Sequence, residues 1–163
     1  MSRALAITVS TRAAAGARAD LSGIALVEGL RSLDFDVDGP VVVADGDPVE
    51  GALRTGLAQG HDLIVTTGGT GLSPTDATPE ITGRVVQRLV PGIPEALRAD
   101  GLRRGIPTAL LSRGIAGTAG RTLIINLPGS PGAVREALEA LGPILAHAME
   151  QLGGADHSDA GNP

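Results

Sequence analysis

Apolar residues fall along the chain in short runs that alternate with helical stripes. Ala4–Val9 is apolar and bounded by polar residues, as a buried strand requires. Ser10–Ala19 reads as a small-residue loop. From Asp20 the spacing turns helical through Leu21, Ile24, Leu26, Val27, Leu30 and Leu33, with Asp20 or Ser22 as N-cap. Asp34–Val43 ends in three valines that predict a second strand. Asp45-Gly46-Asp47-Pro48 predicts a turn, then a helix with Pro48 in its first turn, ending near Gly60. Leu63–Thr66 is a third buried strand, and it runs into Thr67-Gly68-Gly69-Thr70-Gly71, too rich in glycine for regular structure.

Thr78-Pro79-Glu80 predicts a helix capped by Thr78, and a short helix follows over Glu95–Arg103. Pro107–Leu111 and Thr122–Asn126 read as two further strands. Pro128-Gly129-Ser130-Pro131 opens the last helix. Its stripe of Val134, Ala137, Leu138, Leu141, Leu145, Ala148 and Leu152 keeps phase across Gly142-Pro143, so one kinked helix is expected. Five apolar strands alternating with helices predict an α/β three-layer fold with a mostly parallel, doubly wound sheet. No repeat or linker divides the chain. A single domain over 1–153 is expected, with 154–163 as a disordered tail.

Composition narrows the chemistry by what is missing. Cysteine is absent, which removes disulfides, thiolate nucleophiles and cysteine-based zinc sites. All 13 basic residues are arginine, so neither a phosphate-binding lysine nor a Schiff base is available. Phe35 is the sole aromatic residue, which leaves no stacking platform for single-stranded nucleic acid. A net charge of −5 argues further against nucleic acid as a partner. No apolar run approaches the ~20 residues of a membrane span. The apolar stretch after Arg3 is below the ~7–15 residues of a signal peptide, and a cytoplasmic location is expected.

Ligands of open parallel sheets bind beyond the carboxyl ends of the strands. Several polar segments fall at such ends. They are Ser10-Thr11-Arg12, Asp45, the Thr67–Gly71 loop with Asp76, Ser112-Arg113, and Asn126 through Ser130. The glycine loop can turn successive amides toward an anion. Asp76 is a candidate Mg²⁺ ligand or a helix cap, and Asp45 a second ligand or a turn residue. Pro128-Gly129-Ser130 offers a helix N-terminus to an anion, or ordinary capping by Ser130. Arg12 and Arg113 suit phosphate, or surface ion pairs. His61, His147 and His157 do not combine into a metal site.

Thr67-Gly68-Gly69-Thr70-Gly71 followed by Asp76, Thr78 and Pro79 resembles the signature of molybdopterin adenylyltransferases. A second stretch is similar as well: Leu111-Ser112-Arg113, then Arg121 through Ser130. Ser10, Arg12, Asp20 and Ser22-Gly23 fit the family's opening strand and helix. The resemblance spans residues 3–152. The same fold also occurs in molybdenum-insertion enzymes, in the gephyrin N-terminal domain and in competence/damage-inducible proteins. Single-domain length points to the stand-alone bacterial enzyme or a close paralogue. One departure is Thr75, where the family often has Arg; a phosphate contact is then lost, or supplied by Arg113 or Arg12.

The resemblance implies a concrete reaction. The terminal phosphate of molybdopterin attacks the α-phosphate of Mg-ATP, giving adenylylated molybdopterin and pyrophosphate. Asp76 and Asp45 would be the catalytic acids that organise Mg²⁺. The binding set would be Ser10, Arg12, Thr67, Gly68, Gly69, Thr70, Gly71, Ser112, Arg113, Asn126, Pro128, Gly129 and Ser130. Which anion site takes ATP and which the pterin stays open. A homotrimer, and a molybdenum-insertion enzyme as a further partner, are also implied. The alternatives are a molybdopterin carrier or scaffold without turnover, and a nucleotide hydrolase like the competence-protein domain.

Overall fold

A computed structural model describes residues 1–154. The expected tail, from Ala155 on, and His157 with it, lie outside the described residues. Among the described residues six strands form one sheet: β1 (Arg3–Val9), β2 (Asp36–Val43), β3 (Leu63–Thr67), β4 (Arg88–Leu89), β5 (Ala116–Ala119) and β6 (Thr122–Leu127). Their order is β2-β1-β3-β6-β5-β4. Strands β2, β1, β3 and β6 are mutually parallel, and β5 and β4 continue the sheet antiparallel. The same residues form six helices: α1 (Thr11–Ala14), α2 (Leu21–Ser32), α3 (Asp47–Ala58), α4 (Thr78–Val85), α5 (Gly92–Arg103) and α6 (Pro131–Leu152).

Strand alternation sends side chains to two cores. Ala4, Ala6, Leu63, Val65, Leu123 and Ile125 join α2 and α6 on one face. Leu5, Ile7, Ile64 and Ile124 meet Val49 and Leu53 of α3 and Ile81 and Val85 of α4 on the other. The central strands are covered on both sides, which is why they read as unbroken apolar runs. None of the described helices is long and apolar enough to cross a membrane.

Several expectations need correction. Pro107–Leu111 is not a strand but a 3-10 turn. Its side chains are largely exposed, and Ala109 packs against Gly101 of α5, where an added Cβ would lie 2.4 Å from the alanine methyl. The place beside β6 belongs to β5, whose Ala-Gly-Thr-Ala sequence carries little strand signal. Strand β4 is also additional to the expected set. Helix α4 is capped at Ala77, without a side-chain bond, so neither Thr78 nor Asp76 is its cap. Helix α5 starts at Gly92, three residues before Glu95. Asp20, not Ser22, caps α2 through Gly23 N–H at 2.9 Å. Helix α6 runs as one element past Pro143, with the stripe from Val134 to Leu145 buried.

Candidate active site

The parallel register brings the ends of β3 and β6 side by side, Thr67 opposite Leu127. The Gly68 amide donates to Leu127 O at 3.0 Å and Thr67 Oγ1 donates to Pro128 O at 2.7 Å. Gly68 has φ +100°, and a Cβ there would lie 2.3 Å from Val9 O at the end of β1. A Cβ on Gly129 would lie 3.3 Å from the Gly68 Cα. Three strand ends and the loop after β6 therefore meet in a ridge of bare backbone, which only glycine permits. Thr78 Oγ1 fixes the ridge by donating to Gly68 O at 3.0 Å.

A cleft opens on each side of this ridge. The first, of about 400 Å³, lies between the ridge, α5 with the 3-10 turn, and the start of α6. Its walls are mainly Leu97, Ile106, Ala109, Leu111 and Ala137, with Thr108, Ser112 and Glu136 among them. The second, of about 490 Å³, lies between the ridge, α1 and the start of α2. Ser10, Arg12, Arg18, Asp45 and Thr75 line it. Gly69, Asp76 and Gly129 line both.

Both acids line the second cleft, and Asp76 lines the first as well. Asp45 Oδ2 accepts from Thr11 Oγ1 at 2.8 Å, and Asp76 Oδ2 accepts from Ser73 N–H at 3.2 Å. Neither Oδ1 has a hydrogen-bond partner among the described residues. Asp45 Oδ1 would lie 3.1 Å from a Cβ built on Gly69, so it sits against the ridge. No group of three or more His, Asp or Glu side chains is arranged to hold a metal among the described residues. Two carboxylates with one free oxygen each suit a Mg²⁺ that arrives with phosphate oxygens of its own.

Other expected residues are placed differently. Arg113 lines neither cleft. Its guanidinium donates to Gly71 O at 2.8 Å and Asp76 O at 2.9 Å, and pairs with Glu80. These bonds brace the loop, and the pairing holds the Glu80 carboxyl below its usual range. Asn126 is buried. Its Nδ2 donates to Thr66 Oγ1 and Thr82 Oγ1, both at 3.0 Å, and its Oδ1 accepts from Ile115 N–H at 3.2 Å. Thr67 is likewise interior, and Ser10 and Ser130 cap α1 and α6. Thr70, Gly71, Ser112, Pro128 and Ser130 line the first cleft.

Sequence reasoning missed Arg18, Glu136 and Asp100. The first two sit among alanines and charged helix residues and carry no local signal. Asp100 is buried beside the first cleft, where Arg104 Nε at 2.7 Å, and Arg103 as well, hold its carboxyl below the usual value. His61, given no role, is fully buried far from the ridge, at the N-terminal edge of the sheet. Its Nε2 lies 2.8 Å from Asp38 Oδ2 and its Nδ1 3.0 Å from Gly56 O.

A mixed six-stranded sheet covered by helices on both faces, with two clefts about a glycine ridge at the carboxyl ends of its parallel strands, defines the class of α/β domain. Residues 5–147 match the family described as "probable molybdopterin binding domain", and the chain belongs to it. A molybdopterin adenylyltransferase of Helicobacter pylori (strain J99) is 40% identical over 152 residues, 90% of this chain and 85% of that one. The molybdopterin biosynthesis Mog protein of Mycobacterium ulcerans superposes with a TM-score of 0.88 at 46% identity, covering 93% of this chain and 99% of that one. The molybdopterin biosynthesis enzyme MoaB of Thermus thermophilus gives 0.88 and 46%, covering 94% and 98%.

Proposed function

We propose that the protein is a molybdopterin adenylyltransferase of molybdenum cofactor biosynthesis. The observation that carries this reading is the pair of clefts sharing Gly69, Asp76 and Gly129. A group transfer between two substrates needs their reacting atoms held together at one point, and a backbone ridge lets both approach it. The family membership and the 40% identity to an adenylyltransferase support the same chemistry.

The second cleft suits Mg-ATP phosphates, since it holds Asp45, Asp76 and two arginines. The first suits the flat pterin, since its apolar walls carry Ser112, Thr108 and Glu136. An oxygen of the pterin's terminal phosphate forms a bond to the α-phosphorus. The bond from that phosphorus to the β-phosphate oxygen breaks, and pyrophosphate leaves with the electron pair. Asp45 and Asp76 would hold the Mg²⁺ that comes with ATP, which neutralises phosphate charge. Arg113 keeps Asp76 in place by binding its backbone carbonyl.

Incubation with molybdopterin, ATP and Mg²⁺ tests this: adenylylated pterin and pyrophosphate should appear together. Tight molybdopterin binding without pyrophosphate would instead make the chain a carrier. Release of nucleotide products without molybdopterin would make it a hydrolase. We also infer a cytoplasmic homotrimer that passes its product to a molybdenum-insertion enzyme. A light-scattering mass of 16.3 kDa at micromolar concentration would refute the oligomer.

A further inference from the structure

We infer that Arg18, with Arg12 beside it, holds the polyphosphate end of the nucleotide and takes up the charge of the departing pyrophosphate. This rests on the adenylyl-transfer reading above. Arg12 and Arg18 are exposed, line the second cleft, and have no hydrogen-bond or ion-pair partner among the described residues. The other guanidiniums near the clefts are engaged: Arg113 with the glycine loop, Arg98 with Ser112 O and Gly114 O, Arg103 and Arg104 with Asp100. Arg31, Arg88 and Arg135 are also unpartnered among the described residues, but they line neither cleft.

The acids that line the same cleft meet neutral donors and not these guanidiniums. Asp20 accepts from Gly23 N–H through Oδ1 and from Thr8 Oγ1 through Oδ2, and Asp45 Oδ2 accepts from Thr11 Oγ1. Arg18 also stands in Ala13-Ala14-Ala15-Gly16-Ala17-Arg18-Ala19, where no other side chain extends beyond a methyl group. That leaves its long stem unobstructed over the cleft mouth. Across the cleft, Thr75 contributes no charge.

The direction of the substrate follows from the same layout. The α-phosphorus must sit at the ridge, where Gly69, Asp76 and Gly129 are open to both clefts. The β- and γ-phosphates then extend away from the ridge, toward the wall formed by α1 and the bend after it. Two planar guanidiniums match the oxygens of a polyphosphate in number and geometry. When the bond to the β-phosphate breaks, negative charge grows on the pyrophosphate, and Arg18 acts on that charge.

Titration calorimetry with pyrophosphate and Mg²⁺ on the full chain tests the inference without turnover. Arg18→Ala should weaken pyrophosphate binding about 10-fold, the scale of one charge-assisted contact. It should raise the KM for ATP by a similar factor, and molybdopterin affinity should stay within about twofold. Arg18→Lys should fall between, since it keeps a point charge and loses the fork. The remote Arg31→Ala should leave pyrophosphate binding unchanged. Wild-type affinity in Arg18→Ala, or an equal loss in Arg31→Ala, would overturn the inference. Arg18-dependent pyrophosphate binding in a chain that never adenylylates molybdopterin would uphold the cationic site and overturn the enzyme reading.

Discussion

Replacing Asn126 by Ala separates a structural role from a ligand role at a residue whose position at a strand end suggests binding. Its amide joins β3, α4 and the segment before β5 through hydrogen bonds to Thr66, Thr82 and Ile115. Thr66 and Thr82 are completely buried, so water does not replace the lost partner. Each bond contributes about 1 kcal/mol net, and the Ile115 N–H loses its side-chain acceptor. The expected loss is about 3 kcal/mol, or roughly 6–12 °C in Tm for a chain of this length. With Phe35 as the one aromatic residue, far-UV circular dichroism with urea and heat is the fitting assay, not intrinsic fluorescence. The KM values of the surviving enzyme should be close to wild type. A Tm within about 2 °C of wild type together with a raised KM would show that Asn126 serves the ligand.

Asp76→Asn should lower adenylylation roughly 10²–10³-fold while leaving Tm unchanged, because Asn can still accept from Ser73 N–H; near-normal turnover would remove the metal role. Gly68→Ala should destabilise far more than Gly46→Ala in urea unfolding, since both have positive φ but only the first would drive a Cβ against Val9 O; equal midpoints would contradict the ridge. His61, and after it Arg3, lower the Asp38 carboxyl from its usual value of 3.8. A carboxylate depressed in the folded state adds stability above its unfolded value and loses it as pH falls through the folded one. Wild type and Asp38→Asn should therefore converge in urea midpoint as pH drops from about 5 toward 3, and a constant gap would rule out the ion pair.

The parts of the fold legible in the sequence are those where one physical signal dominates. Both-face burial makes β1, β3 and β6 apolar runs, and Asp20 and Ser130 carry the chemistry of helix caps. Pro107–Leu111 misleads because a short apolar run has the same appearance in a strand and in a 3-10 turn. Strand β5 hides because Ala-Gly-Thr-Ala is selected by tight packing, not by strand propensity: a Cβ on Gly117 would meet Arg88 O at 2.7 Å. The glycine ridge is visible as composition. That Asn126 points inward is readable from alternation with Ile124, which faces α3 and α4. The bracing by Arg113 is not, because a guanidinium in sequence does not reveal whether it meets carbonyls or solvent.

A ridge whose Gly69 and Gly129 are open to both clefts has a thermodynamic consequence. Occupants on its two sides share a wall, so whatever shift of Gly68, Gly69 or Gly129 one of them induces alters the free energy of the other. Linkage makes that coupling reciprocal: the factor by which a pterin changes nucleotide affinity equals the factor by which the nucleotide changes pterin affinity. A ridge substitution that changes this coupling should therefore change it by the same factor for both ligands.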